Sequence, residues 1–584
     1  MKQRGVSHCG GGCCGKEGAA AEVSKGSAAA AAARSNTHLN HSNTTQNMHT
    51  TTAGSTAATH SNSNQARREQ HPSEETPLLH TPRSRAYSVA SKRSFIRDKN
   101  TGRTITWLSV AFISYFNVCG GPWGSETVIS SAGPLPGLIG IVFFAVLSGL
   151  PMLLVTSELS SMYPDDGGYS VWVAEAFGEF WGFQESYWSW LSGLLDNALY
   201  PVITYRLLQA ACFPSGLNFW VAWSLKVLFV AAFSLPNLLM VNAVGTGLVY
   251  AFFIVMAPFV ILVANSAAGL VMGYASLSKL SEIRQPESDS ASHTHNGADW
   301  GGLLNLLYWN VSGFDCISTC AGEVKNPGSS LFKGLILSLF LVVVTYIVPL
   351  AAMVVVDKPQ WQGWREGSFS DIAKQQVGDW LGIFVVLAGA VGNMGMHVAE
   401  LFEDSWQLHG MAKCGLAPEC FNHRHPRFRT PWTAVMFSIF LMAALVALPF
   451  ERLLMVDNFF SISSGILEYL SFLKLRWSKA RMPRPFRVPV TFLGAVAMCG
   501  VGISVSLAVL QSSLFRDRLH TAVDSAAMLL GVLLYFFIMK SRALAYRRQP
   551  RQRRASSMSS ATYTHTAARL EIVPPPLGLG GVYV

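Results

Sequence analysis

The chain has 584 residues, of which 50% are hydrophobic and only 13% are charged. Soluble proteins carry about 25% charged residues, so this composition excludes an ordinary soluble globular protein. The formal net charge of +10 does not indicate nucleic-acid binding, because the basic residues are concentrated in short segments between long apolar runs. We therefore predict an integral membrane protein built from α-helices.

Residues 1–100 form the first predicted unit of the chain. They are rich in Ala, Ser, Thr, Asn and Gly and lack an apolar run, so we expect a disordered cytoplasmic tail without a cleavable signal peptide. Within this tail, Glu74 is followed by Leu78 and Leu79, which resembles the acidic dileucine signal bound by vesicle-coat adaptors. We expect a trafficking adaptor as the partner of this segment.

Residues 101–545 form the predicted membrane domain. A helix needs about 20 apolar residues to cross the hydrocarbon core of a bilayer, and about twelve segments meet that condition. Their approximate ranges are 105–132, 137–162, 184–211, 217–237, 241–274, 302–322, 331–356, 378–403, 431–449, 453–475, 488–512 and 521–540. We predict polar loops over 276–300 and 357–376, and a disordered cytoplasmic tail over 546–584.

Lys and Arg residues collect before the first span, between spans eight and nine, between spans ten and eleven, and after span twelve. With twelve spans, all four segments lie on the same side of the membrane. The positive-inside rule makes that side the cytoplasm, so both termini are predicted to be cytoplasmic. We expect a multi-pass protein of the plasma membrane, with an endosomal or other acidic organelle membrane as the alternative.

The first apolar span is interrupted by Gly120, Gly121 and Pro122, which Trp123 and Gly124 follow. Glycine weakens a helix and proline removes a backbone donor, so the helical hydrogen bonds must stop here. Backbone groups freed at bilayer depth are tolerated only where they face protein or a watery cavity. We predict that Gly120, Gly121, Trp123 and Gly124 contact a solute; the alternative is a kink that serves packing only.

The sixth span has a matching interruption, with Trp309 before it and Ser312, Gly313, Phe314 and Asp315 within it. Two broken spans, one in each half of a chain, are typical of the substrate site of a secondary transporter. A carboxylate at bilayer depth costs roughly 2.5–3.5 kcal/mol, so Asp315 should have a cationic or protonic partner. Together with the aromatic ring of Trp309, it could bind an ammonium group. We predict that Trp309, Ser312, Gly313, Phe314 and Asp315 contact the substrate. Alternatively, Asp315 caps the second half-helix.

The third span contains a further acid, Asp196, beside Asn197 and four residues before Tyr200. Residues four apart share a helix face, so Asp196 and Tyr200 should be neighbours. An acid inside a membrane span is a functional candidate by default. We predict that Asp196, Asn197 and Tyr200 contact the substrate or a proton, with structural pairing as the alternative.

Two other glutamates are candidates for proton coupling. Glu400 lies deep in the eighth span, whereas Glu158 lies at the cytoplasmic end of the second span. For Glu158, a structural hydrogen-bonding role at the gate is at least as good an interpretation. No nucleotide-binding loop or metal-ligand cluster is visible, so we expect a transporter without cofactor or metal rather than an enzyme or an ATP-driven pump.

Several motifs together resemble the amino acid–polyamine–organocation superfamily, and more narrowly the polyamine uptake transporters of plants and trypanosomatid protozoa. The resemblance covers roughly 103–545, the predicted transporter domain. The motifs that carry it are Gly120–Gly124, Tyr163–Tyr169, Trp181–Gln184, Leu191–Pro201, Trp309–Asp315 and Ala399–Leu401.

This resemblance implies a LeuT-like bundle of two inverted five-helix repeats plus two further helices, with helices 1 and 6 broken. It also implies proton-coupled uptake of cations similar to putrescine and spermidine. In related bacterial exchangers, aromatic and acidic residues of the sixth helix act at the substrate and its gate, and Trp309 and Asp315 match those positions. Asn197 and Tyr200 match a polar pair of the third helix, whereas Asp196 looks specific to the eukaryotic branch.

Three functions remain open from the sequence. A polyamine importer needs acids at both ends of its site and an apolar aromatic middle, which Asp196, Asp315 and the Trp and Tyr residues could supply. A transporter of cationic amino acids would need an anion site, for which the backbone at Gly120–Gly124 could serve. A transport-like nutrient sensor is the third. For coupling we expect protons, with Asp315, Glu400 and Glu158 as candidate carriers.

Overall fold

The computed structural model describes residues 103–212, 216–239, 244–284, 298–514 and 518–548. The tail predicted over 1–100, with the proposed adaptor signal at Glu74, Leu78 and Leu79, lies outside the described residues, as do residues 549–584 of the tail predicted over 546–584. Residues 546–548 instead belong to a helix that ends at Arg548. Throughout the described ranges the secondary structure is helical, apart from one isolated β-bridge. The prediction of an all-α protein is confirmed.

Within the described residues, fifteen α-helical segments make up the bundle, and short 3₁₀ turns connect some of them. The helices are α1 Trp107–Val118, α2 Glu126–Ala132, α3 Pro134–Met162, α4 Gly168–Phe177, α5 Glu179–Cys212, α6 Phe219–Leu239, α7 Val244–Met272, α8 Trp300–Trp309, α9 Pro327–Val356, α10 Ser368–Gln376, α11 Asp379–Cys414, α12 Trp432–Leu445, α13 Phe450–Ser478, α14 Phe492–Leu514 and α15 Arg518–Arg548.

Both predicted interruptions are present. The first span is divided into α1 and α2, and the chain between them runs through Gly121 and Gly124 with φ angles of 114° and 85°, which favour glycine. The sixth span is divided into α8 and a 3₁₀-helical segment, Cys316–Glu323. Gly313, between those two parts, has a φ angle of 99°. The prediction of broken helices 1 and 6 is therefore confirmed.

Seven of the described helices are long and apolar enough to cross a membrane: α3, α6, α7, α9, α11, α14 and α15. Two further long helices, α5 with 34 residues and α13 with 29, are not among these seven because polar and acidic residues lower their mean hydropathy. Their charges are not a sign of exposure to water, because both helices contact each other and the centre of the bundle. The acids that lower their hydropathy lie around the central cavity.

The middle of the bundle is formed by α1, α5, α11 and α13. Every residue from 395 to 412 of α11 is buried, so this helix is surrounded by protein on all sides over five turns. Outer helices such as α6 and α7 instead expose large apolar side chains, including Trp220, Phe253 and Val260, as expected of a surface in contact with lipid.

The two broken spans are joined at one end of the bundle. Ile105, just before α1, forms a parallel β-bridge with Val324, just after the Cys316–Glu323 segment. The Ile105 N–H donates to the Glu323 carbonyl at 3.0 Å, and the Lys325 N–H donates to the Ile105 carbonyl at 2.9 Å. We call this end, where Arg103, Lys413, Arg424, Arg476 and Arg484 lie, the basic end, and the other the opposite end.

Candidate functional site

A cavity of about 50 Å³ lies at mid-depth, between the two helix breaks. Such a volume holds a few water molecules. Its wall combines the end of α1, one face each of α5, α11 and α13, and the break after α8. The lining residues are Asn117, Val118, Tyr169, Ser189, Ser192, Gly193, Asp196, Trp309, Ser312, Gly313, Asp315, Cys316, Met396, Glu400, Asp404, Asp457, Asn458, Ser461 and Ser464.

Asp196 is held between two donors on the side nearer the opposite end. The Tyr200 hydroxyl donates to its Oδ2 at 2.7 Å, and the Trp309 indole N–H donates to its Oδ1 at 3.1 Å. The first contact joins two residues one turn apart on α5, and the second joins α5 to the broken sixth span. These hydrogen bonds fix the carboxylate so that it faces the cavity beside an aromatic ring.

Three more acids line the cavity from α11 and α13. Glu400 and Asp404 lie one turn apart on α11, and Asp457 faces them from α13. Asn197 donates from Nδ2 to Asp404 Oδ2 at 3.0 Å, and the Ser192 hydroxyl donates to Asp457 Oδ1 at 2.5 Å. Asp404 and Asp457 are thus each oriented by a polar residue of α5.

The closeness of α5 and α11 depends on Gly193. A Cβ atom at Gly193 would lie 2.2 Å from Asp404 Oδ1, so any larger residue would displace that carboxylate.

Acids outnumber bases at this depth. Besides the five acids in the lining, Glu185, Glu403 and Glu468 are buried close by. Among the described residues, no Lys, Arg or His forms an ion pair with any of these eight carboxyl groups. Buried carboxylates are stable only when they are protonated or neutralised by a cation. The site is therefore built to receive positive charge.

The nearest buried base, His397, does not change that balance. Its Nδ1 lies 3.2 Å from the Asn197 carbonyl and its Nε2 lies 2.9 Å from the Ser234 hydroxyl. The imidazole thus contacts backbone and hydroxyl groups between α5, α6 and α11, away from the cavity lining.

Of the residues predicted from sequence to contact substrate, five line the cavity. These are Asp196, Trp309, Ser312, Gly313 and Asp315. Asn197 and Tyr200 lie directly behind it, where each donates a hydrogen bond to a lining carboxylate. Glu400, a predicted proton carrier, is also in the lining.

The residues of the first break predicted to contact the solute lie beside the cavity, where their glycines allow neighbouring helices to pack closely. A Cβ at Gly120 would lie 2.2 Å from the Met396 sulfur, and one at Gly124 would lie 2.9 Å from the Trp309 ring. Trp123 packs edge-on against Phe259, with 5.0 Å between ring centroids. Gly121 is enclosed by that same Trp123 ring, which would lie 2.3 Å from an added Cβ.

Phe314 and Glu158 also lie outside the lining. Phe314 is buried against Gly149, in the π-helical turn of α3, rather than facing the substrate space. Glu158 is fully buried at the basic end, where it pairs with Arg476 at 3.5 Å and Arg484 at 3.0 Å. It also accepts the Val488 N–H at 2.8 Å. These contacts correspond to the structural alternative for Glu158.

Sequence reasoning missed four acids: Glu185, Asp404, Asp457 and Glu468. A signal for them exists in the polar stripes along two apolar helices. Along α5 the stripe is Glu185, Ser189, Ser192, Asp196 and Tyr200, and along α13 it is Asp457, Ser461, Ser464 and Glu468. Spacings of three and four residues place each set on one helix face. The two stripes face each other and are joined directly by the Ser192–Asp457 and Ser464–Glu185 hydrogen bonds.

Both ends of the cavity are closed by ion pairs. At the basic end, Asp166 pairs with Lys413 at 2.6 Å and with Arg424 at 3.3 Å, and Arg424 also pairs with Glu323 at 3.4 Å.

At the opposite end, Arg206 lies between Glu366 at 2.5 Å and Glu451 at 3.0 Å. Its guanidinium lies 5.3 Å from the centre of the Phe450 ring, which packs against Trp309. The arrangement is that of a central cavity with an ion-pair network on each side.

Known proteins match this arrangement over most of the chain. The family model for amino acid permeases matches residues 105–535. The chain belongs to the amino acid permease family. This family has the LeuT-like fold, so the permease is a multi-pass membrane transporter made of two inverted five-helix repeats and two further helices.

Among its relatives, the permease is 35% identical to the polyamine transporter RMV1 of Arabidopsis thaliana, over 75% of this chain and 86% of that protein. It is 36% identical to the polyamine transporter PUT1 of Oryza sativa subsp. japonica, over 77% of this chain and 82% of that protein. A probable agmatine/putrescine antiporter, AguD of Lactococcus lactis, is 22% identical over 69% of this chain and 86% of its own length. The resemblance to plant polyamine transporters is confirmed.

Proposed function

We propose that this permease transports polyamines of the putrescine and spermidine class into the cell by alternating access. The observation that carries the proposal is the excess of buried carboxyl groups around one cavity without a basic partner in the described structure. A polyamine offers two or more ammonium groups joined by apolar chains. Such a solute can neutralise several acids at once, while its methylene groups contact aromatic rings.

Within the site, Asp196 is the first ammonium ligand. Its carboxylate is fixed by Tyr200 and Trp309, and the Trp309 ring lies beside it. An ammonium group there would gain both ion pairing and cation–π attraction. Asp404, Asp457 and Asp315 are spread along the same cavity and can take the further charges of the chain.

A cationic amino acid is the alternative substrate, and it fits less well. Its carboxylate would have to enter a cavity lined by five acids. One backbone donor of the first break is also in use, because the Gly124 N–H donates to Glu126 Oε2 at 2.7 Å. The Gly367 N–H donates to the other oxygen of Glu126, at 3.1 Å. The third alternative, a nutrient sensor, depends on the tails, and no contact in the described part of the chain favours it.

We further propose that uptake is coupled to protons, with no other cofactor. Asp315 and Glu400 are the candidate carriers of our sequence analysis that line the cavity. Glu158 is a weaker candidate, because two arginines already neutralise it. The plasma membrane is the proposed location, with both termini and the basic end in the cytoplasm. An endosomal or acidic organelle membrane is the alternative.

The test is uptake of labelled putrescine into proteoliposomes, challenged with excess spermidine, arginine or neutral amino acids. We expect spermidine to inhibit strongly, and arginine and neutral amino acids to inhibit little. The Asp196→Asn variant should insert normally and lose at least tenfold in uptake at low putrescine concentration, because an ammonium ligand loses its charge. Inhibition by arginine as strong as by spermidine would favour the amino-acid alternative instead.

A further inference from the structure

Three buried acids form a separate group on the basic-end side of the cavity. Glu185 on α5 and Glu468 on α13 are linked through Ser464, and Asp315 in the sixth span lies beside Glu468. The Ser464 hydroxyl lies 3.0 Å from Glu185 Oε1 and 3.5 Å from Glu468 Oε1. We call Glu185, Asp315 and Glu468 the deep carboxyl cluster.

The cluster has hydrogen-bonding capacity that the protein does not satisfy. Glu185 and Glu468 are both fully buried, and one oxygen of each, Oε2, has no hydrogen-bond partner within the described structure. Such orphan atoms are rare in native proteins and call for an explanation. Asp315 and Ser464 line the cavity, so the unsatisfied oxygens lie directly behind its wall.

Neighbouring buried carboxyl groups favour a shared proton. Two ionised carboxylates side by side repel each other, so a proton on one of them stabilises the Asp315–Glu468 pair. The groups that face the cluster cannot supply positive charge. They are Tyr169 on α4, Tyr308 on α8, Cys316, Glu403 on α11 and Tyr469 on α13.

The ligand that fits this cluster is a proton rather than an ammonium group. Glu185 and Glu468 are absent from the cavity lining and fully buried, so a methylene-linked ammonium has no surface on which to approach them. A proton needs only a chain of hydrogen-bonding groups. Asp315 and Ser464 supply that chain from the cavity, since a hydroxyl both donates and accepts.

Resting on the proposed polyamine transport, we propose that the deep carboxyl cluster is the proton site of this permease, with Glu468 and Glu185 as proton-holding residues. Asp196, Asp404 and Asp457 hold the substrate. A hydronium ion in the cavity transfers its proton through Asp315 to a carboxylate oxygen of Glu468, where an O–H bond forms and water remains. After the cavity opens at the other end, that O–H bond breaks and the proton passes to water, so one proton crosses and the substrate is unchanged.

Two transport assays separate the proton site from the substrate site. Counterflow of labelled putrescine against unlabelled putrescine inside the vesicle needs no net movement of protons. Accumulation driven by an inward proton gradient does need it. We expect the Glu468→Gln and Glu185→Gln variants to keep counterflow within about threefold of the unsubstituted protein. With the gradient imposed, they should only equilibrate putrescine, whereas the unsubstituted protein accumulates it at least tenfold.

Glu126→Gln is the matched control, because Glu126 is a fully buried glutamate that accepts the Gly124 and Gly367 N–H groups and lies outside both the cavity lining and the cluster. It should still accumulate putrescine when the gradient is imposed. Accumulation by both Glu468→Gln and Glu185→Gln would overturn the proposal. The proposal would also be overturned if both glutamine variants lost counterflow and their KM rose more for spermidine than for putrescine. The cluster would then be a binding site for ammonium groups.

Stabilisation of each purified variant by spermidine in a thermal-shift assay shows that it is folded. If one of the two variants does not fold, the other decides. Absence of putrescine counterflow in the unsubstituted protein would contradict the proposed function itself, which distinguishes that failure from failure of the proton site.

Discussion

At the scale of single residues, the site depends on side chains that orient other side chains. Asp196 contacts the cavity, but its direction is set by the Tyr200 hydroxyl and the Trp309 indole N–H. Asp404 depends in the same way on Asn197, and Asp457 on Ser192. Hydrogen bonds to a charged group contribute about 1.5–3 kcal/mol each, so these positioning residues should affect substrate affinity strongly.

Tyr200→Phe tests that dependence. Loss of its hydroxyl removes one of the two donors to Asp196, so we expect the KM for putrescine to rise about tenfold or more. Tyr205→Phe, five residues further along α5, is the control, because its ring contacts Lys226 and a phenylalanine ring preserves that contact. Initial rates of putrescine uptake measure both variants. Equal KM values for the two would remove Tyr200 from the site.

The positions of single side chains could be predicted from the sequence only in part. The spacing of Asp196 and Tyr200 predicts a shared helix face, and the structure shows their hydrogen bond. Phe314 shows the limit of such reasoning, because it stands next to Asp315 in a non-helical stretch. Only packing against Gly149 of α3 determines that its ring faces away from the cavity, and a contact 165 positions apart in the sequence leaves no local signal.

At the scale of helices, the breaks and the spans could be predicted because glycine, proline and apolar length act locally. Short helices between the spans could not. The sequence predicts a loop over 357–376, whereas α10 occupies Ser368–Gln376. Its inner residues Phe369, Ile372 and Ala373 are fully buried. That helix is stabilised by tertiary packing, which a search for long apolar runs does not detect.

The end of α3 illustrates how helices are joined at the basic end. Glu158 contacts Arg476 of α13, Arg484 beyond it, and the Val488 N–H before α14. The carboxylate is fully buried and the side chains of both arginines are at most 5% exposed. Such a buried cluster is destabilised strongly when one partner is removed, because unpaired charge remains inside the protein.

We therefore predict that Glu158→Gln lowers the free energy of unfolding by about 3–5 kcal/mol. Glu175→Gln removes a partner of Lys479 at the same end, where both side chains are partly exposed, and should cost at most about 1 kcal/mol. Thermal unfolding of the detergent-solubilised variants, followed by fluorescence, measures both. A Glu158→Gln protein of normal stability that no longer responds to a proton gradient would instead make Glu158 a coupling residue.

At the scale of the whole molecule, a central cavity lies between two ion-pair networks that differ in composition, and we propose that they act as the two gates of alternating access. The basic end is held by the network of Asp166, Lys413, Arg424 and Glu323. The opposite end is held by Arg206 between Glu366 and Glu451, above Phe450. Alternating access requires that these two networks open at different times.

Cys316 provides an internal reporter of opening at the basic end, because it lines the cavity. The double variant Lys413→Gln, Arg424→Gln removes the cations that pair with Asp166. Partly exposed ion pairs contribute up to about 1 kcal/mol each, so we expect Cys316 to react about fivefold faster with a charged thiol reagent applied from that end.

The control adds Cys316→Ser to the Lys413→Gln, Arg424→Gln variant. It measures how fast the thiol reagent labels the remaining cysteines, including Cys414 and Cys420. Excess spermidine should slow the labelling of Cys316. Rates that the loss of both cations does not change would contradict a gating role for this network.

The β-bridge between Ile105 and Val324 has a consequence for how the transporter can move and diversify. Because the hydrogen bonds between Ile105 and residues 323–325 join main-chain atoms, exchanging the side chains of these residues leaves those bonds in place. The two broken helices are therefore joined and should move as a single rigid body when the basic end opens. The residues that face the solute can then vary between homologues while the two broken helices stay joined.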